Sequence, residues 1–222
     1  MTFTLIELAL IVAFLDWIAV AKKWKTIEYI AKPGVMVVLL AWLASIGGFQ
    51  GYLIPFALGL VFSLAGDVFL MLPKERFVGG LVSFLLAHIA YIIGFNDSLP
   101  PINLVTLVVA ILVALVAFRL YRRISQGLTS SGNDKLKIPV LVYSIVISVM
   151  LLSALLTLVK PEWSAISALL SAIGALLFFA SDSFLAWNKF VQALPNGRLI
   201  VMVTYHLGQI LIITGATLHY LS

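Results

Sequence analysis

Two aspartates lie inside long apolar segments, and their residue type and placement make them the best candidates for chemistry. Asp67 belongs to the segment GLVFSLAGDVFL (59–70), and Asp182 belongs to GALLFFASDSFL (174–185). An ionisable side chain within a membrane-spanning helix costs about 2.5–3.5 kcal/mol on insertion scales, so it usually faces a cavity or a partner. If both carboxyl groups face one water-poor pocket, they can share a proton and act as acid and base in one cycle. If they do not, nearby serines cap them and they only fix helix packing.

Other polar side chains recur at helical spacing, and they could support the two aspartates. His88 and Tyr91 share a helix face at i, i+3, and Tyr205 and Gln209 share a face at i, i+4. Such side chains either orient a carboxyl group and a substrate or hydrogen-bond neighbouring helices. The predicted supporting residues are Lys32, Ser63, His88, Tyr91, Tyr143, Ser181, Tyr205, His206 and Gln209.

Several other kinds of chemistry have little support. Two carboxylates and two imidazoles are a conceivable ligand set for a hard metal ion, but their spacing matches no known metal motif. The sequence has neither a glycine-rich phosphate loop nor a Gly-x-Ser-x-Gly motif. Its lack of cysteine excludes thiolate metal sites and a cysteine nucleophile. We therefore expect no metal and no cofactor.

The composition indicates that these residues are positioned by membrane-spanning helices. Of the 222 residues, 63% are hydrophobic and 10% are charged, with a mean hydropathy of +1.15. A soluble domain carries about a quarter charged residues, whereas a bilayer leaves the outer surface of a helix with no need for polar groups. The net charge of +5 would suggest nucleic acid in a soluble protein. Here we assign it to loops and expect no nucleic-acid partner.

Eight segments are long and apolar enough to cross a bilayer, which takes about 20 residues of helix. They are 3–21, 33–48, 52–72, 77–95, 101–121, 138–159, 163–187 and 199–220. The sequence therefore predicts an all-α integral membrane protein, an eight-helix bundle that forms a single transmembrane domain over 1–222.

The distribution of basic residues predicts the orientation of the bundle. With eight spans, 13 of the 14 Lys and Arg residues fall on one side, Lys74 among them, and Lys160 falls on the other. Loops rich in Lys and Arg are cytoplasmic. We therefore predict a multi-pass protein of the cell membrane with both termini on the non-cytoplasmic side.

The two aspartate segments also indicate an internal repeat. Aligned without gaps, they share Gly, Ala, Asp, Phe and Leu at five of twelve positions. Each lies on the third span of its half and is followed by a short basic loop and another span. The pattern predicts two parallel four-helix repeats, 1–98 and 99–222, with a site between them. Asp67 and Asp182 would then face each other, each roughly 8 Å from the cytoplasmic end of its helix.

Taken together, these motifs resemble the YhhN-like lysoplasmalogenase family of integral membrane proteins, and the resemblance spans nearly the whole chain. The motifs that carry it are Lys32-Pro33, Gly59-Leu-x-Phe-Ser-x-x-Gly-Asp67-x-x-Leu70, Phe84-x-x-Ala-His88-x-x-Tyr91, Tyr143-Ser, Gly174-Ala-x-x-Phe-x-x-Ser181-Asp182-Ser-x-Leu185 and Tyr205-x-x-x-Gln209. Members of this family hydrolyse the vinyl-ether bond of lysoplasmalogens to a fatty aldehyde and glycerophosphoethanolamine or glycerophosphocholine.

The resemblance implies that Asp67 and Asp182 are the catalytic residues and that the partner is a lysophospholipid. Vinyl-ether hydrolysis is acid-catalysed, which suits two carboxyl groups. His88 and Tyr91 would orient a carboxyl group or the lipid, and Lys32 would meet the lipid phosphate at the cytoplasmic interface.

Three other functions fit parts of the pattern. Buried acids at a repeat interface also occur in proton-coupled transporters. The true substrate could be another lysolipid. In a third interpretation, the polar residues only join the helices of a lipid-binding or structural protein. The sequence leaves the oligomeric state open.

Overall fold

A computed structural model describes residues 4–72 and 76–221, and within them the chain forms eight long α-helices. The helices are α1 (Thr4–Lys22), α2 (Lys25–Ser45), α3 (Ile54–Met71), α4 (Phe77–Phe95), α5 (Leu104–Ser130), α6 (Lys137–Leu156), α7 (Ala165–Phe190) and α8 (Gly197–Tyr220). Each is long and apolar enough to span a membrane, which confirms the predicted all-α membrane fold. Residue 3, where the first segment was predicted to begin, and Lys74 lie outside the described residues.

The second predicted segment begins well after its helix does. We predicted a span at 33–48, but α2 begins at Lys25, and Pro33 lies inside it. Charged residues at 25–32 looked like a cytoplasmic loop in the sequence, yet Glu28 and Lys32 are buried within the first two turns of α2. Composition marks the extent of the apolar core and not the end of a helix, which here continues beyond that core.

Helices α1 and α2, α3 and α4, and α7 and α8 pack as neighbouring pairs along the chain. The α7–α8 pair is especially close because glycines face each other across it. A Cβ atom on Gly208 would lie 2.9 Å from the carbonyl oxygen of Gly174. Small residues of this kind let helix backbones approach within a bilayer. The pairs α1–α2 and α3–α4 fall in the first predicted half of the chain. In the second half, α7 and α8 are the third and fourth helices, as α3 and α4 are in the first. The parallel repeat and the orientation of the bundle stay predictions.

Helix α5 lies at the periphery of the bundle. Of its 27 residues, all within the described part of the chain, only Thr106, Ile124 and Leu128 are buried. Large apolar side chains cover most of its surface, as expected for a helix that faces lipid. Its basic residues, including Arg122 and Arg123, lie in its C-terminal half. The helix continues nine residues beyond residue 121, where we had ended the predicted span.

The two ends of the bundle differ in chemistry. The basic end carries Lys25 and Arg198, which lie in the first turns of α2 and α8. At the opposite end, the buried ammonium group of Lys160 donates to the carbonyl oxygens of Phe95 (2.8 Å) and Ser98 (2.5 Å). The Ser98 hydroxyl donates to Glu162 and lowers the pKa of that carboxyl group. These contacts tie the C-terminal end of α4 to the α6–α7 connection, so the opposite end is held together by polar links.

Candidate active site

Asp67 and Asp182 both line one cavity of about 440 Å³ at the basic end, which we name the polar cavity. Helices α2, α3, α4, α7 and α8 supply its walls. Its charged lining residues are Lys25, Glu28, Lys32, Asp67, Asp182, Lys189 and Arg198. The fold thus brings together two acids that are 115 positions apart in the sequence. Their catalytic roles stay a prediction.

Asp67 is held by two partners from other helices. Its side chain is 1% exposed. The hydroxyl group of Tyr205 on α8 donates to its Oδ2 at 2.8 Å, and the ammonium group of Lys32 on α2 lies 3.3 Å from its Oδ1. A carboxylate this deeply buried needs an opposite charge and hydrogen bonds to offset its desolvation. The ammonium group that we expected to meet a lipid phosphate is thus paired with Asp67, and its contact with a lipid stays a prediction.

Asp182 has a different pair of partners. The hydroxyl group of Tyr143 on α6 makes a close hydrogen bond to its Oδ2, and His88 Nε2 on α4 lies 3.2 Å from the same oxygen. Tyr143 and His88 are also 3.0 Å apart, so the three groups form a compact triangle. The Asp182 side chain is 12% exposed, which leaves part of it open to the cavity. Helices α4, α6 and α7 thus position one carboxyl group for contact with a bound molecule.

The two aspartates lie at different distances from the ends of their helices. Asp67 is four residues before the end of α3 and Asp182 is eight residues before the end of α7, which corresponds to roughly 6 Å and 12 Å of helix. We had predicted roughly 8 Å for both. The difference arises because α7 continues through Asn188 and Lys189 to Phe190, whereas its predicted segment ended at residue 187.

Three of the predicted supporting residues form a buried network beyond the cavity wall. The hydroxyl group of Tyr91 donates to Gln209 Oε1 at 2.6 Å, and Gln209 Nε2 donates to the Ser63 hydroxyl at 2.7 Å. The chain of bonds joins α4, α8 and α3. Gln209 and Tyr205 both bond to α3, and so lie on one face of α8 as their i, i+4 spacing indicated. Tyr91, Gln209 and Ser63 therefore fix α4 and α8 against α3, which carries Asp67, and none of these three lines the polar cavity.

Two glycines of the Asp67 motif make room for this arrangement. A Cβ atom on Gly59 would lie 2.2 Å from the ring of Tyr91, and one on Gly66 would lie 2.6 Å from the ring of Phe84. Side chains at either position would push α4 away from α3. The two aromatic rings belong to the same segment as His88, so the glycines set how closely that segment approaches Asp67.

Ser181 lies on the wall of the polar cavity and His206 lies outside it, although the sequence predicted both as supporting residues. The Ser181 hydroxyl lines the cavity wall and donates to the carbonyl oxygen of Val201 at 3.0 Å, which links α7 to α8. His206 faces α1, where its Nδ1 accepts a hydrogen bond from Trp17 at 3.2 Å. We had placed His206 in the supporting set, but it does not line the polar cavity. The reason is geometric, because His206 follows Tyr205 directly and so points about 100° further round the helix.

Sequence analysis missed a charged cluster at the mouth of the cavity. Glu28 is 4% exposed, Arg198 donates to its Oε1, and the Lys25 ammonium group lies 3.4 Å from its Oε2. The sequence contained a signal, because Lys25, Glu28 and Lys32 recur at i, i+3, i+7 and so share a helix face. We overlooked it because we assigned these residues to a loop.

A second, apolar space meets the polar cavity at Asp182. This apolar slot, of about 60 Å³, runs between α4, α5, α6 and α7, and Asp182 is its one carboxylate among the described residues. Leu70, Phe84 and Leu185 line both spaces. On its far side the slot shares Ala117 with a groove between α5 and α6 on the lipid-facing surface. A polar cavity and an apolar path to the lipid thus join beside one carboxyl group.

The described residues contain no group of three or more His, Asp or Glu side chains arranged to hold a metal ion. The arrangement suits proton transfer, since two carboxyl groups line one cavity, with Asp67 bonded to the Tyr205 hydroxyl group and Asp182 to the Tyr143 hydroxyl group and the His88 imidazole.

The fold and the site together define a multi-pass membrane protein with two aspartates in a polar cavity, one of which, Asp182, also borders an apolar slot. Comparison with known sequences then specifies the family. The sequence model of the YhhN family matches residues 27–216, and the chain belongs to that family.

Several relatives with a named activity are similar over most of this chain. Lysoplasmalogenase TMEM86B of Mus musculus is 32% identical over 205 residues, which cover 91% of this chain and 80% of the relative. A lysoplasmalogenase of Mycobacterium tuberculosis is 35% identical over 81% of this chain and 67% of its own length. Lysoplasmalogenase TMEM86A of Homo sapiens is 35% identical over 71% of this chain and 63% of its own length. No solved structure matches the chain.

Proposed function

We propose that this protein is a membrane hydrolase that cleaves the vinyl-ether bond of lysoplasmalogens. One observation carries the proposal: a polar cavity and an apolar slot meet at Asp182, which matches the polar and apolar parts of a single-chain phospholipid. The relatives named lysoplasmalogenase point to the same substrate class. The substrate would be a lysoplasmenyl-ethanolamine or lysoplasmenyl-choline of the cell membrane.

In the proposed complex, the lipid lies across the junction of the two spaces. The glycerophospho head group occupies the polar cavity, and the alkenyl chain follows the apolar slot toward the α5–α6 groove. This placement keeps the chain in apolar surroundings throughout. The vinyl-ether bond, which connects the two parts of the lipid, then lies beside Asp182 and near Asp67.

The proposed reaction begins with protonation of the alkene. Asp182 delivers a proton to the alkenyl carbon distal to the ether oxygen, and the π electrons that form the new C–H bond leave an oxocarbenium ion. Tyr143 and His88 orient the carboxyl group, and the imidazole can return a proton to it after each cycle.

Asp67 acts on the cation that follows. Lys32 and Tyr205 compensate its negative charge and hold it in place, so the carboxylate faces the oxocarbenium ion as a fixed counter-charge. Water adds to the cationic carbon and loses a proton to a carboxylate. The resulting hemiacetal collapses to a fatty aldehyde and the glycerophospho alcohol. The atoms balance with one water consumed and no redox partner.

The site favours vinyl-ether cleavage over ester cleavage of another lysolipid. Ester hydrolysis by a serine enzyme needs a hydroxyl group bonded to a general base. Ser181 lines the polar cavity, but its hydroxyl donates to the carbonyl oxygen of Val201 and not to an imidazole. Carboxylate acid catalysis therefore fits the cavity better than a serine nucleophile.

The test is aldehyde release by purified protein in detergent from lysoplasmenylethanolamine. Asp67→Asn and Asp182→Asn each remove a titratable group and are expected to lower the rate by at least about 100-fold. Asp134→Asn is the matched control, because that aspartate lies outside the cavity and pairs with Lys137 on the surface. Full activity in a folded Asp67 or Asp182 variant would contradict the mechanism.

A proton-coupled transporter is the second candidate, favoured by the placement of both acids in a cavity that opens at one end of the bundle. The two functions give opposite results. An enzyme releases aldehyde in detergent without any gradient, whereas a transporter releases none and moves solute across proteoliposomes when a proton gradient is applied.

A further inference from the structure

We propose that Arg198 and Lys25, held by Glu28, bind the phosphodiester of the lysolipid at the mouth of the polar cavity. The inference deepens the proposed function and rests on it for the identity of the lipid. It assigns head-group recognition to a cluster that neither the motifs nor the two aspartates include.

The geometry of the cluster leaves donors available to a ligand. Glu28 is almost fully buried and accepts from both cations, whereas the side chains of Arg198 and Lys25 are each 56% exposed. A guanidinium group has five N–H donors in a planar fork, and one carboxylate uses two of them at most. The remaining donors of Arg198 can therefore face an anion in the cavity that all three residues line.

The position of the two cations also needs an explanation. Lys25 and Arg198 lie in the first turns of α2 and α8. The N-terminal end of a helix carries a partial positive charge, so cations are disfavoured there. Residues that cost stability in this way are commonly found at functional sites. A phosphate held between them would compensate both the side chains and the two helix ends.

The distance along α8 suits a glycerophospholipid. Arg198 and Tyr205 are seven residues apart, which is close to two turns, so they lie near one face about 10 Å apart along the axis. Tyr205 contacts Asp67, and Arg198 contacts the mouth of the cavity. The spacing leaves room for a glycerol backbone between a phosphate at Arg198 and a reacting bond near Asp67.

The closing experiment measures binding of two lipids that the acid chemistry cannot cleave. One is 1-alkyl-glycerophosphoethanolamine, and the other is 1-alkylglycerol with the same chain and no phosphate. The purified full chain in a neutral detergent is expected to bind the first at least about tenfold more tightly. Arg198→Gln is expected to lower that preference by about tenfold, because it removes the charged fork and keeps a polar side chain.

Two further variants make the result decisive. Arg198→Lys keeps the charge without the fork and is expected to retain part of the preference. Arg123→Gln removes an exposed arginine of α5 that does not line the polar cavity, and it should keep the whole preference. An unchanged preference for the phosphate-containing lipid in Arg198→Gln would overturn the assignment. So would a result in which Arg198→Gln and Arg198→Lys weaken the binding of both lipids by the same factor.

Glu28 is a positioning residue in this scheme, and a double-mutant comparison tests it. Glu28→Gln is expected to lower the phosphate preference by less than Arg198→Gln does, and to lower it little further in the Arg198→Gln background. Fully additive losses would show that Glu28 does not act through Arg198.

Catalytic measurements separate this inference from the proposed function. In an active enzyme, Arg198→Gln should raise KM for lysoplasmenylethanolamine and leave kcat within about threefold of the wild type, since the phosphate takes no part in the chemical step. If the wild type shows the phosphate preference but releases no aldehyde, the proposed reaction is wrong and the phosphate site still stands.

Discussion

At the scale of single residues, the hydroxyl group of Tyr143 has a defined task. It bonds to the same oxygen of Asp182 that faces His88, so it restricts the carboxyl group to one orientation. The phenol can donate a hydrogen bond to this oxygen whether the carboxyl group is protonated or ionised. The proposed proton donor is thereby aimed before the lipid binds, which is the usual requirement for efficient general acid catalysis.

Tyr143→Phe should remove this control while keeping the aromatic ring. We expect kcat for aldehyde release to fall by about 10- to 100-fold, with KM nearly unchanged, because the hydroxyl group acts on the carboxyl group that we propose as the catalytic acid. Steady-state kinetics on the detergent-purified protein measures this. Tyr52→Phe is the matched control, since Tyr52 is 60% exposed and lines neither the polar cavity, the apolar slot nor the α5–α6 groove. Equal kcat in Tyr143→Phe and Tyr52→Phe would exclude a role for the Tyr143 hydroxyl group.

At the scale of helices, the buried Lys160 links elements far from the site. Its ammonium group is bound by two carbonyl oxygens and lies 3.4 Å from Asp97, so it ties α4 to the α6–α7 connection. We expect Lys160→Met to lower the free energy of unfolding by about 2–3 kcal/mol, because a buried charged hydrogen-bond donor is lost.

Thermal unfolding in detergent measures the effect of Lys160→Met, and aldehyde release per folded molecule should stay at the wild-type value. Lys135→Met is the control, since that lysine is exposed on the α5–α6 connection. A folded Lys160→Met protein as stable as Lys135→Met would show that the link contributes nothing.

The helices were largely predictable from the sequence, but their charged ends and their contacts were not. A run of apolar residues is visible in one dimension, so the α4 bounds, Phe77–Phe95, agree with the predicted 77–95. Glu28 escaped notice because burial of a charged residue depends on which neighbours cover it, here Arg198 from another helix. Likewise, residue spacing put His206 near Tyr205 but could not show that it faces α1.

The aspartates themselves were identifiable because charge within an apolar helix is unusual. Their partners were less so. That Lys32 pairs with Asp67, and Tyr143 with Asp182, depends on the packing of four helices, and any of several polar side chains could have met either acid. Residue type therefore predicted many of the residues that form the site, whereas tertiary packing determines which of them contact each other.

At the scale of the whole molecule, the peripheral position of α5 bears on substrate choice. Ala117 of α5 lines both the apolar slot and the α5–α6 groove, so it lies on the path proposed for the alkenyl chain. Ala117→Trp should fill that path. We expect kcat/KM for a long-chain lysoplasmalogen to fall by about tenfold or more, with a much smaller effect on a short-chain analogue, because only the long chain reaches the groove.

A chain-length series with aldehyde as the readout checks this prediction. Leu115→Trp is the control on the same helix, since that side chain is 44% exposed and lines neither space. A uniform decrease for all chain lengths in Ala117→Trp would place the chain elsewhere.

The meeting of the polar cavity and the apolar slot at Asp182 has a consequence for what happens after bond cleavage. The proposed reaction splits an amphiphile into one water-soluble and one lipid-soluble fragment, and each already lies in the compartment that suits it. The glycerophosphodiester can diffuse out past Arg198 into water, while the aldehyde can partition sideways past α5 into the bilayer. Neither fragment blocks the departure of the other, so turnover requires no fixed order of release.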